Sequence, residues 1–279
     1  MSNDLAAIER HYGRGGLMQR ILAALQEAGK DLDRLSIDDL APIDEFHSRR
    51  RAATTELAAL LAPKPGDRVV DVGSGLGGPA RYLAATYGCH VTGIDLTLEF
   101  VAAATELTRL TKLSDRVAFR QGSALDLPFP DGSFDLAWTQ NVAMNIADRP
   151  RTYAEMARVL KPGGRLAIQD VAQGPAGPPH YPVMWADTPA TSFLRTPEET
   201  RTLLEAAGFE VLVWQDNTAT SVAETAAERA RLAANPGAQP ILGIHVVVGP
   251  TFFEKARNGH RSLAEGRLAL INAVLRRHE

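Results

Sequence analysis

The 279-residue chain contains a single cysteine, Cys89. One thiol excludes an intrachain disulfide and a zinc cluster built on cysteines, and it fits a reducing compartment. Long apolar runs are also missing: no stretch approaches the ~20 residues a membrane-spanning helix needs. The first residues, MSNDLAAIERHYG, carry acids where a secretory leader would carry an apolar run. Neither sign of charge dominates. A net charge of -3 leaves no broad footprint for nucleic acid. These absences predict a cytoplasmic protein with neither nucleic acid nor membrane as a partner. What the chain does have is apolar residues, 45% of the total, enough for a sizeable core.

Residues 4–62 read as helices. DLAAIERHYG, GLMQRILAALQEAG and TTELAALLA have apolar residues at three- and four-residue steps. Between the last two, Arg49-Arg50-Arg51 reads as a short solvated basic face. KPGD then breaks the chain. Beyond it, strand patterns at 68–72, 90–95, 116–120, 134–139, 164–171 and 209–215 alternate with helix patterns at 77–87, 97–110, 149–160 and 197–207. Such alternation predicts an α/β fold, a parallel sheet doubly wound with helices on both faces and right-handed crossovers. A helical tail follows at 218–234 and 250–265, and a last strand at about 267–276. The segment 173–193 is rich in proline and cannot form a long helix, because proline fixes φ and removes a donor. Long irregular loops in compact domains are often functional.

The glycines of RVVDVGSGLGGPARYLA lie between the first strand and the first helix after it. Gly73, Gly75 and Gly78 fit the spacing of a dinucleotide loop, and Asp95 stands where an acid could take a ribose diol. Those signals alone do not choose between nicotinamide and another adenosine cofactor. Asp71, two residues before the first glycine, tips the choice. A carboxylate there repels pyrophosphate and favours a cation, such as the ammonium of an amino-acid moiety. A ribose, an ammonium and no phosphate together suggest S-adenosyl-L-methionine.

From about Gly66 to Asp216 the chain resembles the class I S-adenosylmethionine-dependent methyltransferases. VVDVGSGLGG resembles the family's first motif and VTGIDLT its acidic second strand. FRQGSALDLPFPDGSFDLAWTQNVAMNI resembles the segment with the adenine contact and strand four, and EMARVLKPGGRLAIQD the helix, turn and fifth strand. The likeness is nearest to small-molecule enzymes of the sarcosine and dimethylglycine N-methyltransferase type, with the N-terminal HYG and DEFH segments in common. It implies a seven-stranded Rossmann-like sheet with the last strand antiparallel. The implied domains are an N-terminal helical lid (1–62), a cofactor-binding core (63–217), a helical cap (218–265) and a final core strand (266–279).

The resemblance also implies roles. Asp71, Gly73 and Gly75 would meet the methionine part of the cofactor, and Asp95 both ribose hydroxyls. Leu96, Ser123 and Ala124 would border the adenine, with Ser123 standing where many relatives have aspartate. Gln140 would lie near the methionine end, with Phe46 and His47 closing over the cofactor. Relatives often carry a glycine pair where Arg49 and Arg50 stand. For the acceptor, a small organic molecule, the candidates are Tyr12, Asn145, His180, Tyr181, Trp185 and His245. Of these, His245 reads first as a core histidine with a general base as the other reading, and His180 first as an exposed histidine. The pocket candidates look apolar, with few cationic clamps. Nitrogen or carbon is the expected accepting atom, with nitrogen ahead. No histidine pair has helical metal spacing, so no metal is expected. A homodimer rests on the resemblance alone. The rivals are a nicotinamide oxidoreductase, which Asp71 opposes, and an inactive adenosylmethionine-binding regulatory protein.

Overall fold

The computed structural model describes residues 11–13, 15–234 and 240–279; the side chain of residue 232 is also outside the description. The helix expected over 4–13 therefore lies mostly beyond the described residues. Helices α1 (Leu17–Glu27), α2 (Ile37–Asp44) and α3 (Arg50–Leu61) lead into the sheet. Then come β1 (Arg68–Val72), α4 (Gly78–Tyr87), β2 (His90–Asp95), α5 (Leu98–Leu110), β3 (Val117–Gln121) and β4 (Phe134–Gln140). The second half continues with α6 (Arg149–Val159), β5 (Leu160–Gln173), α7 (Pro197–Ala206), β6 (Phe209–Asp216) and α8 (Thr218–Ala234). It closes with α9 (His245–Val248), α10 (Phe252–Ala264) and β7 (Leu268–Arg277).

The seven strands form one sheet in the order β3-β2-β1-β4-β5-β7-β6. The first five are parallel; β7 runs antiparallel between β5 and β6. The doubly wound fold expected from the sequence is thus present. Central strands are covered on both faces and are largely apolar: after Arg68, every residue of β1 is buried, Asp71 included. Period-two alternation sorts the side chains. Val69, Leu136 and Trp138 meet Leu57, Leu61 and Leu83 of α3 and α4 on one face. Val70, Val72 and Ala137 meet Tyr153, Met156 and Leu204 of α6 and α7 on the other.

A third cluster joins the N-terminal helices to α5, through Leu17, Ile21, Leu25, Leu40 and Ile43 against Phe100 and Leu107. It fixes α1 and α2 above the carboxyl ends of β1 and β2. The proline-rich segment after β5 is anchored by Val183, Trp185 and Ala186, all buried against Leu263, Leu268 and Leu270. Its only helical piece is a 3-10 turn at Pro189–Thr191. The tail helix expected to begin at residue 250 begins at Phe252, because Pro250 lies in a 3-10 turn, Gly249–Thr251.

The three arginines do not form a solvated face. Arg49 and Arg50 have φ of 63° and 47°. Arg49 is almost enclosed and binds Glu56 and Glu224 through paired hydrogen bonds of 2.6–2.8 Å. Arg51 reaches the fully buried Glu45. The periodicity of a helix start does not reveal this, since the partner Glu224 comes from α8, far along the chain.

Candidate active site

The turn between β1 and α4 builds the floor of a crevice. Gly73 has φ of 76°, and a Cβ there would sit 2.2 Å from Val142 Cγ2 on the loop after β4. Both the backbone angle and the close approach demand glycine. The amides of Gly73 and Ser74 donate to Ile94 O, at 2.7 and 3.0 Å. The Gly75 amide donates to Asp95 Oδ2 at 2.8 Å, and the Thr97 amide to Asp95 Oδ1 at 2.8 Å. Asp95 therefore ties the glycine turn to the end of β2. Each of its oxygens keeps a lone pair for a further donor. Burial raises its pKa, and the two amides oppose that rise.

Asp71, one strand over, is buried, and its Oδ2 has no hydrogen-bond partner among the described residues. Burial first, then the charges of Asp95 and Glu45, push its pKa up to about 8. An unpartnered carboxyl of this kind awaits a cation.

The start of α4, where a dinucleotide would rest its pyrophosphate, is already filled. A Cβ on Gly78 would lie 2.6 Å from Asp44 O and 2.8 Å from Asp44 Oδ1. Asp44 is held there by the buried Arg81, whose Nη2 donates to Asp44 Oδ2 at 2.8 Å. Arg81 also donates to Leu76 O at 2.6 Å and to Thr108 Oγ1 at 2.9 Å. Asp44 thus packs against the start of α4, in the place where a dinucleotide would rest its pyrophosphate.

Above this floor opens a cavity of about 1210 Å³. It exceeds the ~300–1,000 Å³ usual for one small ligand, so it has room for a cofactor and an acceptor together. Leu96, Ser123 and Ala124 line it beside Asp95. Ser123 Oγ accepts from the Leu125 amide at 3.1 Å, which leaves its O–H and one lone pair free. Gln140 lines the wall with both ends engaged: Oε1 accepts from Trp138 Nε1 at 2.9 Å and Nε2 donates to Gln169 Oε1 at 2.7 Å. Phe46 and His47 also line it. His47 Nε2 lies 2.8 Å from Glu45 Oε2, which also accepts from Thr54 at 2.6 Å.

Tyr12 and Asn145, drawn from distant segments, meet in the cavity, with Asn145 Nδ2 3.3 Å from Tyr12 Oη. The Tyr12 ring packs edge-on to Phe46 and Phe100. Burial raises the Tyr12 pKa above the ordinary phenol value, so it stays protonated. Trp185 lines the cavity with its Nε1 donating to Ser192 Oγ at 2.9 Å. His245 lines it too, at the start of α9 and stacked on Phe253.

Two expected residues fall outside. His180 pairs with Glu265 at 2.7 Å on the surface, and Tyr181 packs beside the Trp185 cluster; neither lines the cavity. The His180 amide donates to Ser262 Oγ at 2.8 Å and Asn258 Nδ2 to Pro182 O at 3.0 Å, which ties that stretch to α10. Sequence reasoning missed Arg50, Arg229, Arg257 and His260, all in the cavity wall. The Arg257–His260 spacing on one helix face was available as a signal, but a polar helix face reads as solvated until its packing is known. Among the described residues, no group of three or more His, Cys, Asp or Glu is placed to hold a metal ion. Nor is any helix there long and apolar enough to cross a membrane.

Residues 70–168, which span the glycine turn, both acids and the wall of β4, match the family described as "Methyltransferase domain". Among curated proteins, the chain is 38% identical over 133 residues to a glycine/sarcosine/dimethylglycine N-methyltransferase of Actinopolyspora halophila, covering 48% of this chain and 22% of that protein. It is 37% identical over 142 residues to a 27-O-demethylrifamycin SV methyltransferase of Amycolatopsis mediterranei, covering 50% and 51%. The chain thus spans about half, or less, of the curated relatives it matches. Among solved structures, the [4+2]-cyclase SpnF is 28% identical with a TM-score of 0.67 over 95% of both chains. Phosphoethanolamine N-methyltransferase 2 of Haemonchus contortus has a TM-score of 0.73 at 18% identity, covering 100% of this chain and 61% of that one. The matched segment, 70–168, runs from β1 into β5, while helices outside it complete the cavity.

Proposed function

We propose that this chain is an S-adenosyl-L-methionine-dependent methyltransferase acting on a nitrogen or carbon of a small organic acceptor, nitrogen being preferred. The observation that carries the reading is the pair of acids on the crevice floor: Asp71 without a partner, and Asp95 pinned to Gly75 with lone pairs to spare. Asp71 receives the ammonium of the cofactor's amino-acid end. The Asp95 oxygens receive the two ribose hydroxyls. Leu96 and Ala124 flank the adenine, and Ser123 accepts from its amine. When bound, the cofactor supplies a methyl group already activated by its positive sulfur.

The chain's own task is then alignment and exclusion of water. Positioning alone contributes about 7–11 kcal/mol in favourable cases. Tyr12, Phe46 and Trp185 close the cavity, and Asn145 fixes the Tyr12 hydroxyl as a neutral donor toward the acceptor. An amine must arrive unprotonated; the His245 imidazole lines the cavity and is the group assigned to take its proton. The same reading carries the division into lid (1–62), core (63–217), cap (218–265) and last strand (266–279), a cytoplasmic setting and a homodimer.

The test is incorporation of labelled methyl from S-adenosyl-L-methionine across a panel of amines, phenols and activated carbon acids. Transfer to any of them, abolished by Asp95→Ala, is the expected result. A second reading has one specific support: the cyclase similar over 95% of both chains. On that reading the cavity would hold a substrate for [4+2] ring closure, and the prediction is cofactor binding with no methyl transfer to any acceptor.

A further inference from the structure

The charged groups of the cavity wall nearly all have partners. Asp44 is bound by Arg81, and Lys255 by Asp187 at 2.8 Å. Glu224 is bound by Arg49, and Glu228 by Arg231 on its own helix at 2.7–2.8 Å. Asp71 and Asp95 belong to the crevice floor. What is left over is positive. Arg50, Arg229 and Arg257 line the cavity, and none of them is within ion-pair distance of a carboxylate among the described residues. They come from the start of α3, from α8 and from α10.

Two observations bring them together. His260, one turn beyond Arg257 on α10, lines the same cavity. Burial first, then the positive charges of Arg229 and Arg50, hold its pKa below the usual histidine value. Those guanidinium groups therefore sit close to one imidazole. Arg50, though open to solvent through the cavity, has its own pKa lowered by the surrounding protein, with only the Glu228 charge opposing. Like charges gathered without counter-ions in a concave site are costly.

The backbone points the same way. Arg50 has φ of 47°, in the left-handed region where a side chain is strained and glycine is not. Its amide donates to His47 O at 3.3 Å, but its side chain makes no hydrogen bond among the described residues that would hold it there. Strain of this kind persists where the side chain has a use.

We propose that the acceptor bears an oxyanion, a carboxylate or a phosphate, which Arg50, Arg229 and Arg257 clamp at the end of the cavity formed by α8 and α10. This rests on the methyltransferase reading and names the substrate class for it. The body of the acceptor lies against Met144, Val171, Leu263, Leu268 and Leu270, the apolar wall above the carboxyl ends of β4 and β5. The geometry overturns the sequence expectation of a pocket with few cationic clamps. The guanidinium forks suit either oxyanion, since each offers two oxygens to paired N–H donors.

The experiment measures binding of octanoate, octyl phosphate, 1-octanol and octylamine by isothermal titration, with and without S-adenosylhomocysteine. At least one of the two anions is expected to bind about tenfold or more tighter than octanol, as charge-assisted bonds require, and octylamine weakest. The anion that wins identifies the head group. Arg50→Gly should remove most of that preference, leave octanol affinity unchanged and not lower the melting temperature, because the strain is relieved. Arg257→Gln should act in the same direction. Octanol or octylamine binding as tightly as both anions, an Arg50→Gly variant with its preference intact, or no binding by any probe would overturn the clamp. Failure of S-adenosylhomocysteine to bind in the same samples would instead remove the cofactor reading, so the two failures are distinguishable.

Discussion

A carboxyl group without a partner, sealed near a second carboxyl, destabilises the fold that holds it. Asp71 is such a group. Its pKa of about 8 lies far above its ordinary value, so the folded chain holds a proton that the unfolded chain sheds. Between about pH 4 and pH 8 the folded state binds more protons, so this residue makes stability fall as pH rises through that window. Asp71→Asn should flatten that part of the stability curve, measured by urea unfolding at successive pH values. An unchanged slope would mean the carboxyl is ionised throughout. Asp95→Ala should weaken S-adenosylhomocysteine binding by about 1–3 kcal/mol and loosen the glycine turn, since Gly75 loses its acceptor. Equal affinity in the variant would remove Asp95 from the site. Both acids were legible in the sequence, because a strand, a glycine turn and an acid about 20 residues on form a local pattern. The Gly75–Asp95 bond itself was not, for it depends on how β1 and β2 sit side by side.

At the scale of elements, the joint between α2 and α4 rests on one buried ion pair. Arg81 and Asp44 are both enclosed, and Arg81 spans to α5 through Thr108. Asp44→Ala leaves an unpaired guanidinium in the interior and should cost about 3–5 kcal/mol, read as a shift in the denaturation midpoint. A loss below about 1 kcal/mol would show that water reaches Arg81. The strands and most helices were legible within a few residues, because the central strands are short, largely apolar stretches bounded by Gly, Pro and Asp. The strand β5 was cut short in that reading: its first residue, Leu160, precedes a proline and two glycines yet pairs with Phe134. The arginines at 49–51 were misread for a different reason. Their meaning lies in contacts with Glu45, Glu224 and the cavity, none of which leaves a trace in local periodicity.

For the molecule as a whole, the division of labour follows the chain. The crevice floor is built from one continuous stretch, residues 70–168, and was readable there. The acceptor end is assembled from the start of α3, the proline-rich segment, α8, α9 and α10, whose convergence only the packed fold reveals. Hence His180 and Tyr181 were misplaced, while Arg229, Arg257 and His260 were overlooked. The central claim is that the floor recognises an adenosine cofactor through a cationic amino-acid end. Isothermal titration of S-adenosylhomocysteine and of adenosine at pH 7, each in buffers of different ionisation enthalpy, tests it most directly. An ammonium meeting Asp71 should expel close to one proton per S-adenosylhomocysteine bound and none for adenosine, given the pKa of about 8. Equal affinities for the two compounds, with no proton released by either, would contradict it.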